Sequence, residues 1–157
     1  MMAEEGEVLE FTLGSEHYAL DITPVREIVE MTPITVIPRA PGHITGVINL
    51  RGEIVNILNL NSFLKLPNQP ITESQKIIVF MADAAKGNNV GVIVDNVSSV
   101  TEISTAQVDL MTEGIAGNES RYIKGIINTR TDDGEDTGKG LIIWLDIQKM
   151  FNDIENT

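Results

Sequence analysis

Short runs of apolar residues, often alternating with polar positions, recur along most of the chain and are separated by glycine-containing or polar turns. Alternation with a period of two is typical of half-buried β-strands. The runs "LEFTLG" and "HYALDI" flank Gly14 and Ser15, and "GVINL" and "EIVNIL" flank Arg51 and Gly52, so each pair predicts a hairpin. Downstream, "KIIVFMA" with "VGVIV" and "IKGIIN" with "GLIIWL" predict two more.

Two segments have a helical pattern. "TPVREIVEM" offers Thr23 as a cap and Pro24 in the first turn, and "DIQKMFNDI" ends the apolar pattern near the C-terminus. Both are short, which predicts a chain dominated by strands with a few brief helices.

In the first of these segments Val25, Ile28 and Val29 are spaced as one apolar edge of a helix. Packing inward under a sheet is the default interpretation, and binding a partner protein is the alternative. Val97 and Val100 allow the same two interpretations.

The chain contains an internal repeat. "ITGVINLRG", which begins at Ile44, returns as "IKGIINTRT" 79 positions later. After an insertion at 131–139 the match resumes, with "EIVNILNLNSFL" corresponding to "GLIIWLDIQKMF". A repeat of this length predicts two similar folding units, each with its own small core.

The predicted fold class is therefore mainly β, with two pseudo-repeated units of four to five short strands and a C-terminal helix. "KLPNQPITES" interrupts the apolar pattern and suggests a first unit at about 8–66 and a second at about 76–153. Strands or termini can exchange between such units. Short antiparallel strands of this kind usually close into small barrels, because closure removes exposed sheet edges.

Composition narrows the function. The formal net charge is −12, which disfavours nucleic acid and anionic membranes as partners, since both are bound largely through Lys and Arg. There is no cysteine, so disulfides and thiolate metal sites are excluded. The acidic N-terminal sequence does not resemble a signal peptide, and no apolar run approaches the roughly 20 residues of a membrane span. We therefore expect a cytoplasmic protein.

Candidate chemistry is scarce, and we expect no catalytic residues, no metal and no cofactor. No HExxH, GxSxG, Walker or GxGxxG motif occurs. His17 lies in a predicted strand and His43 in a turn, so structural roles are favoured for both. The acidic run at 132–136 lacks the twelfth-position Glu of a calcium loop and predicts a solvated hairpin tip. The N-x-S matches at Asn96 and Asn118 have no significance without a secretory route.

Two other classes of function remain as alternatives. Tandem barrels also serve as binding modules for other peptide or protein ligands, or for oligonucleotides, although aromatic platforms are few and Trp144 lies in a predicted strand. A carboxylate-based metal enzyme would use Asp21, Asp95 or Asp146, but each lies near a strand end, where capping is the commoner role.

Arg51 is the most interesting polar residue. It lies in a tight turn between two apolar strands, and its repeat mate Arg130 precedes the acidic insertion. One interpretation is a structural arginine that caps carbonyls or holds a neighbouring element. The other is a recognition residue, because arginine is enriched at protein interfaces.

Taken in order, several segments resemble the CheW family of chemotaxis coupling proteins over nearly the whole chain. They are "FTLGSEHYALDITPVREIVEM", "ITVIPRAPGHITGVINLRGEIVNILNL", "VGVIVDNVSSVTEI", "YIKGIIN" and "LIIWLDIQKMF". The resemblance implies two intertwined five-stranded SH3-like barrels. It also implies a non-enzymatic adaptor that links the cytoplasmic tips of chemoreceptors to the histidine kinase CheA, at receptor arrays on the inner face of the membrane.

The family's receptor-binding groove maps by resemblance onto Val25, Glu27, Ile28, Arg51 and Val100. A helix of the receptor tip would lay its apolar stripe against the aliphatic residues, and Glu27 and Arg51 would set its register or pair with each other. The regulatory domain of the kinase carries a similar tandem barrel and is expected to pair with this one, but no kinase-binding residue is assigned. Asn56 and the segment 59–61 depart from the family pattern, so no role is transferred to them.

Overall fold

The computed structural model describes residues 6–38, 44–67, 69–82, 89–103, 108–110, 122–128 and 140–155. These residues form a mainly β protein with two short helices, as predicted. The strands are β1 Gly6–Leu13, β2 Glu16–Asp21, β3 Val25–Glu30, β4 Ile44–Leu50, β5 Glu53–Leu58, β6 Lys76–Phe80, β7 Val90–Val94, β8 Asn96–Ile103, β9 Val108–Leu110, β10 Ile123–Asn128 and β11 Leu141–Leu145. The helices are α1 Leu60–Phe63 and α2 Ile147–Glu155.

All four predicted hairpins are confirmed as antiparallel pairs: β1 with β2, β4 with β5, β6 with β7, and β10 with β11. The first is joined at Gly14, whose φ of 61° lies in the left-handed region that glycine adopts without strain. The residues joining the last two hairpins, 83–88 and 129–139, lie outside the described residues, and so does the predicted acidic hairpin tip.

The strands form two sheets. The first has the order β8-β1-β2-β11-β10-β9 and the second the order β3-β6-β7-β5-β4. They correspond to two compact units, the first comprising Met1–Thr23 and Val97–Ile147 and the second Pro24–Asn96 and Gln148–Thr157. The units therefore differ from the boundaries 8–66 and 76–153, because β1 and β2 join β8–β11, while β6 and β7 join β3–β5. Parallel pairing of β2 with β11, and of β5 with β7, decides this exchange.

The two units are pseudo-repeats with an SH3-like architecture. In each sheet two hairpins pair in parallel, and a further strand lies at the outer edge of one of them. That strand is β8, beside β1, in the first unit and β3, beside β6, in the second. Beyond β4 a single bridge joins Thr35 to Val47, and beyond β10 the strand β9 pairs Asp109 with Ile126, the repeat mate of Val47. The repeat in the sequence thus corresponds to a repeated pattern of strand pairing.

The repeated glycine lies at a bulge in both copies. The register shifts between Ile44 and Gly46 in β4, and again between Ile123 and Gly125 in β10. At Gly46 a β-carbon would lie 2.4 Å from the backbone oxygen of Thr35, which is far closer than van der Waals contact allows. A side chain here would push the Thr35 bridge away from β4, so the close approach requires glycine.

The predicted helix over "TPVREIVEM" is wrong, because residues 25–30 form β3. This strand pairs antiparallel with β6, with Ile28 opposite Ile78 and Val29 opposite Ile77. Successive side chains of a strand point to opposite faces, so Ile28 is 41% exposed whereas Val29 packs against the core. The helical spacing of Val25, Ile28 and Val29 therefore does not form one face.

Each unit has its own core. Among the described residues, one buried cluster of the first unit contains Val8, Ala19, Ile103, Ile127, Ile142 and Trp144. One buried cluster of the second contains Ile48, Val55, Ile57, Ile77 and Val79. The β-branched residues of the alternating runs supply most of both, as the pattern predicted.

The predicted C-terminal helix is confirmed as α2, which packs against β6 through an edge-to-face contact between Phe151 and Phe80, with centroids 5.2 Å apart. The sequence did not predict α1. Its N-cap is Asn59, whose Oδ1 accepts a hydrogen bond from the Ser62 amide at 3.2 Å. Asn61 donates to the Pro67 carbonyl. These asparagines, which depart from the family pattern, therefore have local structural roles.

We expect Gly46→Ala to destabilise the protein by about 3 kcal/mol, at the upper end of overpacking costs, because the clash is with backbone rather than with a flexible side chain. Gly14→Ala is the matched control, since its β-carbon would meet nothing within 4 Å and would incur only the left-handed penalty, about 1 kcal/mol. Urea unfolding followed by far-ultraviolet circular dichroism measures both. Equal losses for the two variants would contradict the close-approach argument.

Candidate functional site

Arg51 and Gly52 form the turn of the β4–β5 hairpin, and both have positive φ angles, 49° and 88°. Two consecutive left-handed residues are typical of the type I′ turn, whose twist matches that of the flanking strands. Asn49 Oδ1 accepts a hydrogen bond from the Gly52 amide at 3.0 Å and stabilises the turn. The conformation holds the backbone of Arg51 at the tip of the hairpin while its side chain remains largely exposed.

The guanidinium of Arg51 donates to the carboxylate of Glu27 on β3. The hydrogen bond and the negative charge of Glu27, with a smaller contribution from the charge of Glu53, raise the pKa of Arg51 above its ordinary value. Arg51 is therefore positively charged at any physiological pH. Of the two sequence-based alternatives for Glu27 and Arg51, pairing with each other is the one that the structure has.

Two further ion pairs, both made by Arg26, extend this contact. Arg26 Nη1 lies 3.2 Å from Glu53 Oε2, and Arg26 Nε lies 3.5 Å from Glu27 Oε2. Four side chains of alternating charge, Glu53, Arg26, Glu27 and Arg51, thus form a row that we call the charge row. It links β3 to the turn of the β4–β5 hairpin, although β3 and β4 lie at opposite ends of the strand order in this sheet.

Sequence reasoning placed Glu27 and Arg51 in the site but missed Arg26 and Glu53 as members of the row. Arg26 lies between two predicted site residues, Glu53 lies two positions after Arg51, and the two carry opposite charges, which is the signal that the sequence offers. Nothing in a linear pattern brings position 26 next to position 53, because that contact depends on how the sheet curves.

The apolar members of the predicted site lie on strands. Val25 begins β3 and Ile28 is its partly exposed fourth residue. Val100 lies in the middle of β8 and is 48% exposed, so its side chain is open to a partner. Val25, Glu27, Ile28 and Arg51 belong to the second unit and Val100 belongs to the first. Arg130, the repeat mate of Arg51, lies outside the described residues.

Asp21, a candidate carboxylate of the alternative enzyme, is held by two neighbours. Its Oδ1 accepts a hydrogen bond from the indole Nε1 of Trp144 at 2.9 Å, and its Oδ2 pairs with Lys124 Nζ at 3.2 Å. The same ammonium lies 4.4 Å from the centre of the Trp144 ring. Trp144 is buried, so Asp21 satisfies an indole N–H that would otherwise be costly to bury.

The other candidate carboxylates belong to residues with contacts of their own. Asp95 Oδ1 accepts a hydrogen bond from the buried amide of Gln75 at 3.0 Å, in the second unit. The backbone amide of Asp146 donates to the Tyr122 carbonyl. Within the described ranges, no three His, Asp or Glu residues are grouped in a way that could hold a metal ion.

The remaining residues considered from the sequence lie either in strands or outside the described residues. His17 lies in β2 opposite Thr12, in a strand position. Its neighbour Tyr18 is buried, and burial together with the charge of Glu16 raises the pKa of Tyr18. Asn96 begins β8, while His43, Asn118 and the acidic run 132–136 lie outside the described residues. In the part of the chain that the structure describes, neither helix is long and apolar enough to cross a membrane.

The chain is similar to known proteins over most of its length. A family model described as "CheW-like domain" matches residues 7–155. The "Chemotaxis protein CheW" of Treponema pallidum is 30% identical over 153 residues, covering 97% of this chain and 85% of that protein. Its counterpart in Thermotoga maritima is 32% identical over 151 residues, covering 96% and 91%. The crystal structure of the scaffolding protein TtCheW from Thermoanaerobacter tengcongensis matches with a TM-score of 0.71 at 28% identity, covering 90% of this chain and 88% of that one.

We expect Asp21→Ala to destabilise the first unit by about 1 to 3 kcal/mol, because it leaves a buried indole N–H without its acceptor. Asp21→Asn keeps an acceptor oxygen at the same position and is expected to cost less. Unfolding in urea followed by the fluorescence of Trp144, the only tryptophan, measures both. If Asp21→Ala leaves the free energy of unfolding unchanged, this carboxylate has no structural role and is again a candidate for catalysis.

Proposed function

Because the chain belongs to the CheW-like family, we propose that it is a non-enzymatic chemotaxis adaptor that couples chemoreceptors to the histidine kinase CheA. The observation that carries the proposal is the family match over residues 7–155, which includes the strands of both units. Relatives bearing the name chemotaxis protein, and a similar structure described as a scaffolding protein, support the adaptor class.

The proposed receptor-binding residues are Val25, Glu27, Ile28, Arg51 and Val100. The partner is the cytoplasmic tip of a chemoreceptor, a helical hairpin whose apolar stripe covers the exposed aliphatic side chains. The charge row supports this assignment, because it provides fixed charges beside Ile28. Arg51 uses one donor toward Glu27, whereas a guanidinium carries five, so it can hold Glu27 and contact a receptor carboxylate at the same time.

The second proposed partner is the regulatory domain of the kinase, which carries a similar tandem barrel. Apolar strand ends of the two proteins would pack against each other, and we assign no individual residue to that contact. Both partners place the adaptor in the cytoplasm, at receptor arrays on the inner face of the membrane. The net charge of −12 supports protein partners over nucleic acid, since few basic residues are available to displace phosphate counterions.

A role without catalysis is consistent with how the carboxylates are used. Asp21 satisfies Trp144 and Lys124, and Asp95 satisfies Gln75, so each is engaged in holding its own unit together. General acid or base catalysis needs a titratable group placed to reach a substrate. Glu27 and Arg51 of the predicted site are likewise engaged, as members of the charge row.

We expect Arg51→Glu to weaken binding of a receptor-tip fragment by about tenfold or more, as is typical of an arginine at the centre of an interface. Val25→Ala is expected to act in the same direction. Affinity for the isolated regulatory domain of CheA should change by less than about twofold, since the two partners use separate surfaces. Titration calorimetry with each purified fragment measures both affinities.

The exchange of charges, Glu27→Arg with Arg51→Glu, separates recognition from structure. It restores the ion pair between positions 27 and 51, although it loses the Arg26–Glu27 contact, and it reverses the charge shown to the receptor. Receptor affinity should therefore stay low while part of the thermal stability lost in Arg51→Glu returns. The matched control is the exchange Glu30→Lys with Lys76→Glu, which reverses another exposed ion pair of β3. If the Arg51 exchange restores receptor affinity, Arg51 acts only within the fold. If Arg51→Glu leaves receptor affinity unchanged, the proposed site is wrong.

A further inference from the structure

Glu10 is an acidic residue buried in a strand of the first unit. It lies in the middle of β1, and only 4% of it is exposed. Its Oε2 accepts two hydrogen bonds from β8, one from Thr101 Oγ1 at 2.7 Å and one from Ser99 Oγ at 3.0 Å. A buried carboxylate is costly unless it is well bonded, so these hydroxyls stabilise Glu10, and Glu10 in turn restrains them.

The strand that Glu10 restrains is an edge strand. β8 lies at the end of its sheet, where β1 is its neighbour. Asn96 and the residues from Ser98 to Glu102 are exposed, whereas Ile103 at the end of the strand is buried in the core. Side-chain burial therefore holds one end of β8, and the bonds to Glu10 hold its middle. Edge strands that lack such restraints open more readily than central strands.

The bonds to Glu10 bracket Val100. Side chains of a strand alternate between faces, so Ser99 and Thr101 point to the Glu10 side and Val100 points to the other. Because a single carboxylate oxygen binds both flanking hydroxyls, it fixes the rotation of the strand at that position. That rotation determines the direction of Val100, which is 48% exposed.

We propose that Glu10 is a positioning residue for the receptor contact of Val100. By binding Ser99 and Thr101 it holds β8 in the conformation that presents Val100 to the receptor helix, so the receptor does not have to order this strand on binding. Ordering mobile groups at an interface lowers affinity, and holding them in place beforehand avoids that loss. The inference rests on the proposed function, because it assigns Val100 to the receptor contact.

That residue 10 carries a carboxylate rather than an apolar side chain also supports a positioning role. A leucine would fill this place without the cost of desolvating a charge, and buried charged groups are often replaceable by apolar residues without loss of stability. After Glu10→Leu the hydroxyls of Ser99 and Thr101, both on exposed residues, can bond to water. We therefore expect this variant to fold and to keep the pairing of β8 with β1, while the middle of β8 loses its side-chain restraint, which separates positioning from stability.

The test is a double-mutant cycle between Glu10→Leu and Val100→Ala, measured as affinity for a chemoreceptor tip fragment. Glu10→Leu should weaken binding by about three- to tenfold, and Val100→Ala by a similar factor. In the Val100→Ala background, Glu10→Leu should add less than about twofold, because the side chain that it positions is already gone. Affinity for the regulatory domain of CheA should be unchanged in all three.

Glu7→Leu is the matched control, since it makes the same substitution at an exposed position of the same strand and should leave receptor affinity unchanged. Glu10→Gln keeps an oxygen acceptor at this position and should retain much of the receptor affinity that Glu10→Leu loses. Thr101→Val removes the shorter of the two bonds while Ser99 still satisfies Glu10. It provides an independent measurement if Glu10→Leu does not fold, and it should weaken receptor binding in the same direction.

The outcomes separate the two proposals. If Val100→Ala leaves receptor affinity unchanged, Val100 is not a receptor contact, and both the site assignment and the positioning role are wrong. If Val100→Ala weakens binding but Glu10→Leu has no effect, or its effect is fully additive, only the positioning role is wrong. Equal losses for receptor and kinase would show that Glu10 supports the fold as a whole.

Discussion

Parallel pairing between hairpins from distant parts of the chain is the constraint on which the rest of this structure depends. β2 pairs with β11, and β5 pairs with β7. Parallel strands cannot be joined by a tight turn, so each unit must be assembled from two hairpins that are distinct in sequence. The core of the first unit, where Ala19 pairs with Trp144, forms only when the chain from both ends has arrived. The segments of the two units therefore alternate along the chain.

The same constraint positions the polar contacts. Once β2 and β11 are paired, Asp21 lies within hydrogen-bonding distance of Trp144. In the second unit the curvature of the sheet brings β3 next to the β4–β5 turn, where the charge row forms. The charge row joins elements that are not hydrogen-bonded neighbours in the strand order, so it closes the second unit upon itself. The polar contacts also engage Asp21, one of the carboxylates that the alternative enzyme would use.

An adaptor depends on surfaces whose side chains are held in one arrangement. In this structure ion pairs and buried hydrogen-bond acceptors hold them, rather than large packed side chains. Arg51 is held by a left-handed turn and by Glu27. Val100, on an edge strand, is flanked by two hydroxyls that share one oxygen of Glu10. In both places a short polar contact restrains an exposed residue without covering it. Restrained side chains lose little freedom on binding, and the proposed receptor contact would depend on this property.

Residues close together in the sequence specify the four hairpins, the turn at Gly14 and the C-terminal helix, and the repeat indicates two similar units. Contacts between distant residues decide which hairpins share a sheet. Pairing with β6 makes residues 25–30 a strand despite the helical spacing of Val25, Ile28 and Val29. The tertiary structure also decides that Arg51 bonds Glu27. Turns and caps are formed by residues a few positions apart, so a short stretch of sequence is enough to predict them. Strand edges rich in similar β-branched residues can pair with one another almost equally well, so the correct pairing is fixed only when the whole sheet is assembled.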